Sequence, residues 1–174
     1  MKVISRVSAM LAIVLVLATI RFGMPALAAG APEVILNIQN TAPRQVEDTT
    51  EKAIARDYAA AWQSMTSALD QNRTDLLNAN FIGTASEKLT ATIAEQSKAG
   101  LHQRFVDKGH KADVVFYSPE GSAIELQDTA QLEIQLLDGD KVVHSEAATI
   151  HYVVLLTASA DSWKVRVLEA VPAF

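Results

Sequence analysis

The sequence predicts an α+β fold in which N-terminal helices pack on the concave face of a curved antiparallel sheet of about four strands. Three features point there. Between about residues 50 and 96 the apolar residues recur every three or four positions, the period of a helix with one buried stripe. After Gly109 the period drops to two, that of a strand with one buried face. The helical and extended stretches are segregated along the chain, which argues against a doubly wound parallel sheet.

The helical half comes first. Gly30 to Val46 carries Pro32, Pro43, Asn37 and Asn40 with no sustained period, and reads as an extended lead-in with one short strand at Val34–Ile38. Asp48-Thr-Thr-Glu51 has the carboxylate-x-x-Glu spacing of a helix start. Behind it Ile54, Tyr58, Ala61, Trp62, Met65 and Leu69 form one apolar stripe, opposed by Glu51, Lys52, Arg56 and Gln63. Thr74 opens a short helix over Asp75–Asn80. Gly83 and Thr84 open a third helix with Leu89, Ile93 and Gln96 in register, which Gly100 either ends or bends. Leu101 to Val106 reads as one or two further helical turns before Gly109.

The extended half follows. Ala112–Tyr117 is a strand, and Ser118-Pro-Glu-Gly121 has the residue types of a tight turn. Ile124, Leu126, Ala130, Leu132, Ile134 and Leu136 then alternate with polar residues, so one face is buried and one is wet. Asp138-Gly139 is a hairpin signal leading into a long strand, Val142–Thr157. Ala158–Asp161 returns the chain to a last strand through Trp163, Val165 and Val167. A strand this long twists and curls, so the sheet wraps the first helix as a half-open cone.

The N-terminus reads as an export signal. Lys2 and Arg6 precede the apolar run Met10–Ile20, and Pro25 then leads to Ala26-Leu27-Ala28. This is the order of a cleavable signal peptide, with cleavage expected after Ala28. The run is about half the roughly 20 apolar residues of a spanning helix, so contact with the membrane is expected only during export. The expected organisation is a signal peptide at 1–28, an extended lead-in at 29–48 and one cone-shaped domain at 49–174, secreted or periplasmic. The chain has no cysteine, which excludes disulfides, thiolate chemistry and a lipoprotein anchor. Loss of Lys2, Arg6 and Arg21 leaves 12 basic against 20 acidic residues, so the net charge moves from −5 to −8. A nucleic acid needs the opposite sign.

Tyr58-Ala-Ala-Ala-Trp62, Asp128-Thr-Ala-Gln-Leu-Glu-Ile134 and Tyr152-Val-Val-Leu-Leu156 leading to Ser162-Trp-Lys-Val-Arg166 carry a resemblance. A long amphipathic helix, two shorter helices and a meander ending on a Trp-x-Val strand resemble the nuclear-transport-factor-2-like superfamily of cone-shaped, cystatin-like domains. That group includes SnoaL-like and ketosteroid-isomerase-like proteins, and the match extends to small exported bacterial members of unknown function. The resemblance covers about residues 49 to 172 and implies the fold. It implies little about activity, because members of the superfamily do unrelated jobs.

Catalytic members of that superfamily hold acid–base residues inside the cone, where burial moves a carboxylate or histidine toward neutrality. On the long strand Ala148, Ile150, Tyr152, Val154 and Leu156 form the inward set. The candidate ligand pocket is therefore Tyr58, Trp62, Tyr152, Val154 and Trp163. Asp128 is the one strong acidic candidate at an inward position, and Asp128 with Tyr152 is the only catalytic pair the sequence offers. The plainer reading of Asp128 is a bulge residue where the strand breaks at Gln127-Asp128-Thr129. Asp57 and Asp70 lie off the apolar stripe and read as solvated helix charges. His102, Asp107 and His110 can meet at the helix-to-sheet junction, but no metal-binding spacing accompanies them and no metal is assigned. No glycine-rich nucleotide loop occurs, and no cofactor is expected.

His151, Val153 and Leu155 fall on the outward face of the long strand. They are either a partner face, with a homodimer through the sheet as one form, or a face covered by the rest of the chain. Three functions follow in order. The first is a non-catalytic exported domain that binds a small apolar ligand or a protein. The second is a small lyase or isomerase using Asp128 and Tyr152. The third is an assembly or structural role at the cell envelope.

Overall fold

The computed structural model describes residues 32–174; the expected signal peptide and its cleavage site lie outside the described residues. Two short strands, β1 (Val34–Asn37) and β2 (Ala42–Pro43), precede helix α1 (Asp48–Gln71), a 3-10 turn at Thr74–Leu77 and helix α2 (Gly83–Lys98). Four long strands follow: β3 (Leu101–Tyr117), β4 (Ala123–Asp138), β5 (Lys141–Ala158) and β6 (Trp163–Val171). The sheet order is β1-β3-β4-β5-β6, with β2 also on β3. β3 to β6 form the antiparallel meander, while β1 and β2 join β3 in parallel. The sheet thus has six strands instead of about four, because the lead-in supplies two.

The helix stripe is the core. Ile54, Tyr58, Ala61, Trp62, Met65 and Leu69 are all buried, against Ala112 and Val114 of β3, Ile124, Leu126, Ala130 and Leu132 of β4, Val154 and Leu156 of β5 and Val165 of β6. The sheet curls because three of its ladders slip register: at Asp107/Gly109 and Val114/Phe116 between β3 and β4, at Leu136/Leu137 between β4 and β5, and at Leu155/Leu156 between β5 and β6. Each slip bends and twists its strand, and together they wrap the sheet around α1.

Turn chemistry behaves as the residue types require. The Ser118 hydroxyl accepts from the backbone N–H groups of Ser122 and Ala123 at 3.0 and 3.1 Å. Gly139 takes φ 56° in the two-residue connection between the paired Asp138 and Lys141. The start of α1 is different from the expected capping box. The helix is entered from Glu47, whose side chain makes no cap bond, and Asp48 and Glu51 instead place negative charge in the first turn.

Leu101–Val106 is strand, not helix. Gly100 at φ 70° ends α2, and Leu101 onward pairs residue by residue with Asp138 back to Glu133. Those ladder bonds override a local pattern that is ambiguous between the two periods. Asp57 is not solvated. It is 6% exposed; its Oδ2 accepts the backbone N–H of Trp163 at 2.7 Å and its Oδ1 accepts Arg56 Nε at 2.8 Å. The carboxylate pins the middle of α1 to the first residue of β6. Asp70 is half-buried and receives His102 Nδ1 at 3.1 Å and Arg104 Nε at 3.2 Å.

Asp57→Ala removes a charged acceptor from a buried N–H. It is expected to destabilise the domain by about 2–3 kcal/mol, read as a lower urea midpoint with an unchanged far-ultraviolet spectrum. A loss within about 0.5 kcal/mol, as for a solvated surface charge, would contradict this role.

Candidate functional site

The inward faces of β3 and β4 carry the polar centre of the cone. On β4 the inward residues run Ile124, Leu126, Asp128, Ala130 and Leu132, all buried. β4 is unbroken here, and Asp128 pairs regularly with Ala112 and Tyr152, so the expected bulge is absent from this position. On β3 the inward series Val114, Ala112 continues back to His110, which is also buried. The bulge lies just before His110, between Asp107 and Gly109. Gly109 adopts φ 130°, a conformation that L side chains rarely take, and its N–H donates to Asp107 Oδ1 at 2.7 Å.

These elements assemble one chain of hydrogen bonds. Asp128 Oδ2 accepts both the Tyr58 hydroxyl from α1 and His110 Nδ1 from β3, each at 2.7 Å. His110 Nε2 donates to Asp107 Oδ2, also at 2.7 Å. Both ring nitrogens of His110 face carboxylate oxygens, so both carry hydrogens and the ring is an imidazolium. Burial pulls the His110 proton affinity down, but the hydrogen bonds to Asp107 and Asp128 and the attraction of both charges outweigh it and lift the pKa to about 9. Burial and the Asp128 charge push Tyr58 well above the usual phenol range and Tyr152 up to about 12. Both phenols are therefore neutral at physiological pH, and Tyr58 is the donor to Asp128.

Aromatic rings enclose this centre. Trp62 lies 4.3 Å from His110, centroid to centroid, and 5.5 Å from Tyr152. Tyr58 sits edge-on to Trp62 at 6.3 Å. Asp128 is 0% exposed, and His110 and Tyr58 are each 1% exposed. Two polar atoms inside the enclosure, Asp128 Oδ1 and Trp62 Nε1, have no hydrogen-bond partner among the described residues.

A cavity of about 230 Å³ opens at the wide mouth of the cone, between the end of α1, α2 and the sheet. Met65, Leu69, Leu89, Phe105 and Leu168 give it apolar walls, with Lys88, Thr92 and Gln103 among its polar lining. Tyr152 lines it too and stands between it and Asp128.

The structure divides the residues that the sequence singles out. Tyr152 lines the cavity; Tyr58, Trp62 and Val154 are packed in the core behind it. Trp163 lies elsewhere, edge-on to Tyr117 at 6.3 Å. Asp128 and Tyr152 are directly opposed on neighbouring strands, but Asp128 bonds to Tyr58 and His110. Asp107 and His110 meet, whereas His102 bonds to Asp70 and to the Gly139 carbonyl. His151, Val153 and Leu155 lie half-buried on the convex face. There His151 Nδ1 is 3.1 Å from the Thr129 hydroxyl and the Phe174 ring packs edge-on at 5.0 Å, so the C-terminal segment covers part of that face.

His110 is the residue that sequence reasoning missed as an inward group. The signal was present: stepping back by two from Val114 and Ala112 reaches it. Gly109 hid it by looking like a terminator.

No protein-family model and no curated protein matches the chain. Solved structures do. The intermembrane-space region of the chloroplast protein ARC6 superposes with a TM-score of 0.61 at 16% identity, over 74% of this chain and 98% of that one. A candidate dehydratase from the NTF2-like family of Streptomyces avermitilis gives 0.49 at 11% identity, over 74% and 99%. A protein of unknown function with a cystatin-like fold from Nostoc punctiforme gives 0.41 at 11%, over 75% and 98%. The likeness to the ARC6 region is one of fold: helices packed on a curved, mainly antiparallel sheet. At these identities the likeness concerns the fold and says nothing of activity.

The charge on His110 makes stability depend on pH. Its folded pKa is raised above the unfolded value of 6.5 to about 9, so its contribution is complete below 6.5 and is lost as pH rises through 9. Relative to His110→Gln, the unaltered domain is expected to lose about 3 kcal/mol between pH 6 and pH 10. Urea midpoints at each pH measure it; parallel curves for the two proteins would contradict it.

Proposed function

We propose that the chain is exported, loses residues 1–28, and works outside the cytoplasm as a non-catalytic domain that binds a small, largely apolar ligand in the mouth of its cone. The observation that carries this reading is the separation of cavity and chemistry. The cavity has apolar walls from both helices and the sheet, while Asp128, His110 and Tyr58 are sealed behind Tyr152 and Trp62. A catalytic acid or base must come within hydrogen-bond reach of its substrate, and of the polar centre only the neutral Tyr152 borders the cavity. At about 230 Å³ the mouth lies below the ~300–1,000 Å³ of drug-sized sites, which suits a ligand of one ring or a short chain. Among the described residues no helix is long and apolar enough to cross a membrane.

A lyase or isomerase with Asp128 as base and Tyr152 as acid is the second reading. It draws on their opposition across β4 and β5. It also requires the substrate to reach Asp128, which is fully buried and does not line the cavity.

Indole serves as a neutral probe. Titrated into the mature protein, it is expected to shift the amide NMR signals of Leu89, Phe105 and Leu168 together. Leu89→Trp, which fills the mouth, should weaken binding at least tenfold, and Tyr152→Phe should change it less than about threefold. Scattered shifts, or binding indifferent to Leu89→Trp, would sink the reading.

A further inference from the structure

The sheet has one long stretch of uncovered edge. β6 pairs with β5 only from His151 to Ala158, so residues 141–150 of β5 have β4 on one side and, among the described residues, no strand on the other. The side chains of residues 141–147 are all exposed, and Val142 and Val143 are 43% and 48% exposed. The outer sides of β6 and β3 are tied down instead. Along β6, Val165 exchanges backbone hydrogen bonds with Asn80 and Ile82 at 2.9 and 3.0 Å, and the Thr84 hydroxyl donates to the Arg166 carbonyl. Along β3, β1 and β2 cover the C-terminal half, and the Asn72 side chain donates to the Leu101 carbonyl at the start.

An uncovered edge offers its backbone N–H and C=O groups to another extended chain. The sequence of this edge suits a second copy of itself. Two copies of one edge strand pair antiparallel about a twofold axis normal to the sheet, with opposed side chains on the same face. One residue therefore lies opposite its own copy. Ser145 is at the middle of the free stretch, and an axis there uses residues 141–149. It sets His144 opposite Glu146 of the second copy, a ring nitrogen facing a carboxylate, and does so twice. Within one chain these two side chains already share a face, 3.7 Å apart. Val142 and Val143, where the β4 ladder slips, then lie alongside Ala147 and Ala148 of the second copy, large against small. Other axes fit less well. One at Glu146 opposes two carboxylates, which destabilises a pair. One at Ala147 sets Val143 against His151, which β6 already holds. One at His144 opposes two histidines and shortens the ladder.

We propose that the mature chain forms a homodimer by antiparallel pairing of β5 with β5 of a second copy, centred on Ser145, which joins the two sheets edge to edge. The pairing is separate from the convex face around Val153, and none of residues 141–149 lines the mouth of the cone, so the dimer and the ligand site stand or fall independently. A ladder this short buries little area, which makes the dimer weak, with a Kd in the micromolar range.

Sedimentation velocity of the mature protein across that concentration range is expected to show a monomer–dimer equilibrium. Ser145→Lys sets two like charges opposite each other and should weaken it at least tenfold, whereas Val153→Lys should change it less than about twofold. The chain has no cysteine, so single cysteines report the register. Two copies of residue 145 face each other at about 4.5–5.5 Å between Cα atoms, within disulfide reach, and oxidised Ser145→Cys should form a covalent dimer. Two copies of residue 147 lie about 14 Å apart along the strands, and Ala147→Cys should not cross-link. Ser145 and Ala147 are both exposed, so the fold tolerates these changes. A monomer at every concentration, a dimer lost in Val153→Lys and kept in Ser145→Lys, or equal cross-linking at the two positions overturns the proposal.

Discussion

One carboxylate oxygen holds the cone together. Asp128 Oδ2 receives a hydroxyl from α1 and a ring nitrogen from β3 while its own backbone sits in β4, so three elements meet at one atom. The arrangement works only with charge on both sides. A lone carboxylate here would be driven to neutralise, and His110 prevents that by carrying the opposite charge, itself braced by Asp107. Removing one member of such a buried set leaves the others unpaired, a cost of about 3–5 kcal/mol. The bulge at Asp107–Gly109 belongs to the same device: it supplies the carboxylate that holds the far side of the imidazolium ring.

A second carboxylate finishes the orientation of α1. Asp57 reaches the start of β6 from the position before Tyr58, so adjacent residues tie the helix to the sheet in two directions. Near the C-terminal end of the helix Gln96 donates to the Leu69 carbonyl and to the Asn72 side chain, and Asn72 donates in turn to Leu101. These ties fix α1 along its length while Met65 and Leu69 still face an open mouth. A rigid wall with an unfilled apolar end suits binding, because little of the site must be ordered when a ligand arrives.

Much of this was legible in the sequence because it follows from period and turn chemistry. The α1 stripe, the start of α2 at Gly83, the turn at Ser118–Gly121 and the hairpin at Asp138-Gly139 depend on residues close in the chain. The errors share one cause, a partner far away in sequence. Asp57 lies off the stripe and its acceptor role needs Trp163, 106 residues on. The N-terminal half of β3 has no clean alternation, because both of its faces are only half-buried where the sheet overhangs the core; only pairing with β4 makes it a strand. Asp128 was visible as a polar residue in an apolar series, and a break in the strand was the cheaper local explanation. Its real explanation needed His110, which stood behind a glycine that reads as an ending.

The protonation of His110 is the most direct probe of this account, and nitrogen-15 NMR of the histidine side chains at pH 8 reads it. The account predicts both ring nitrogens of His110 protonated, with Nδ1 and Nε2 each in a strong hydrogen bond and no titration near 6.5. A neutral ring with one bare nitrogen at that pH would contradict it, and with it the anionic centre on which the cone is built.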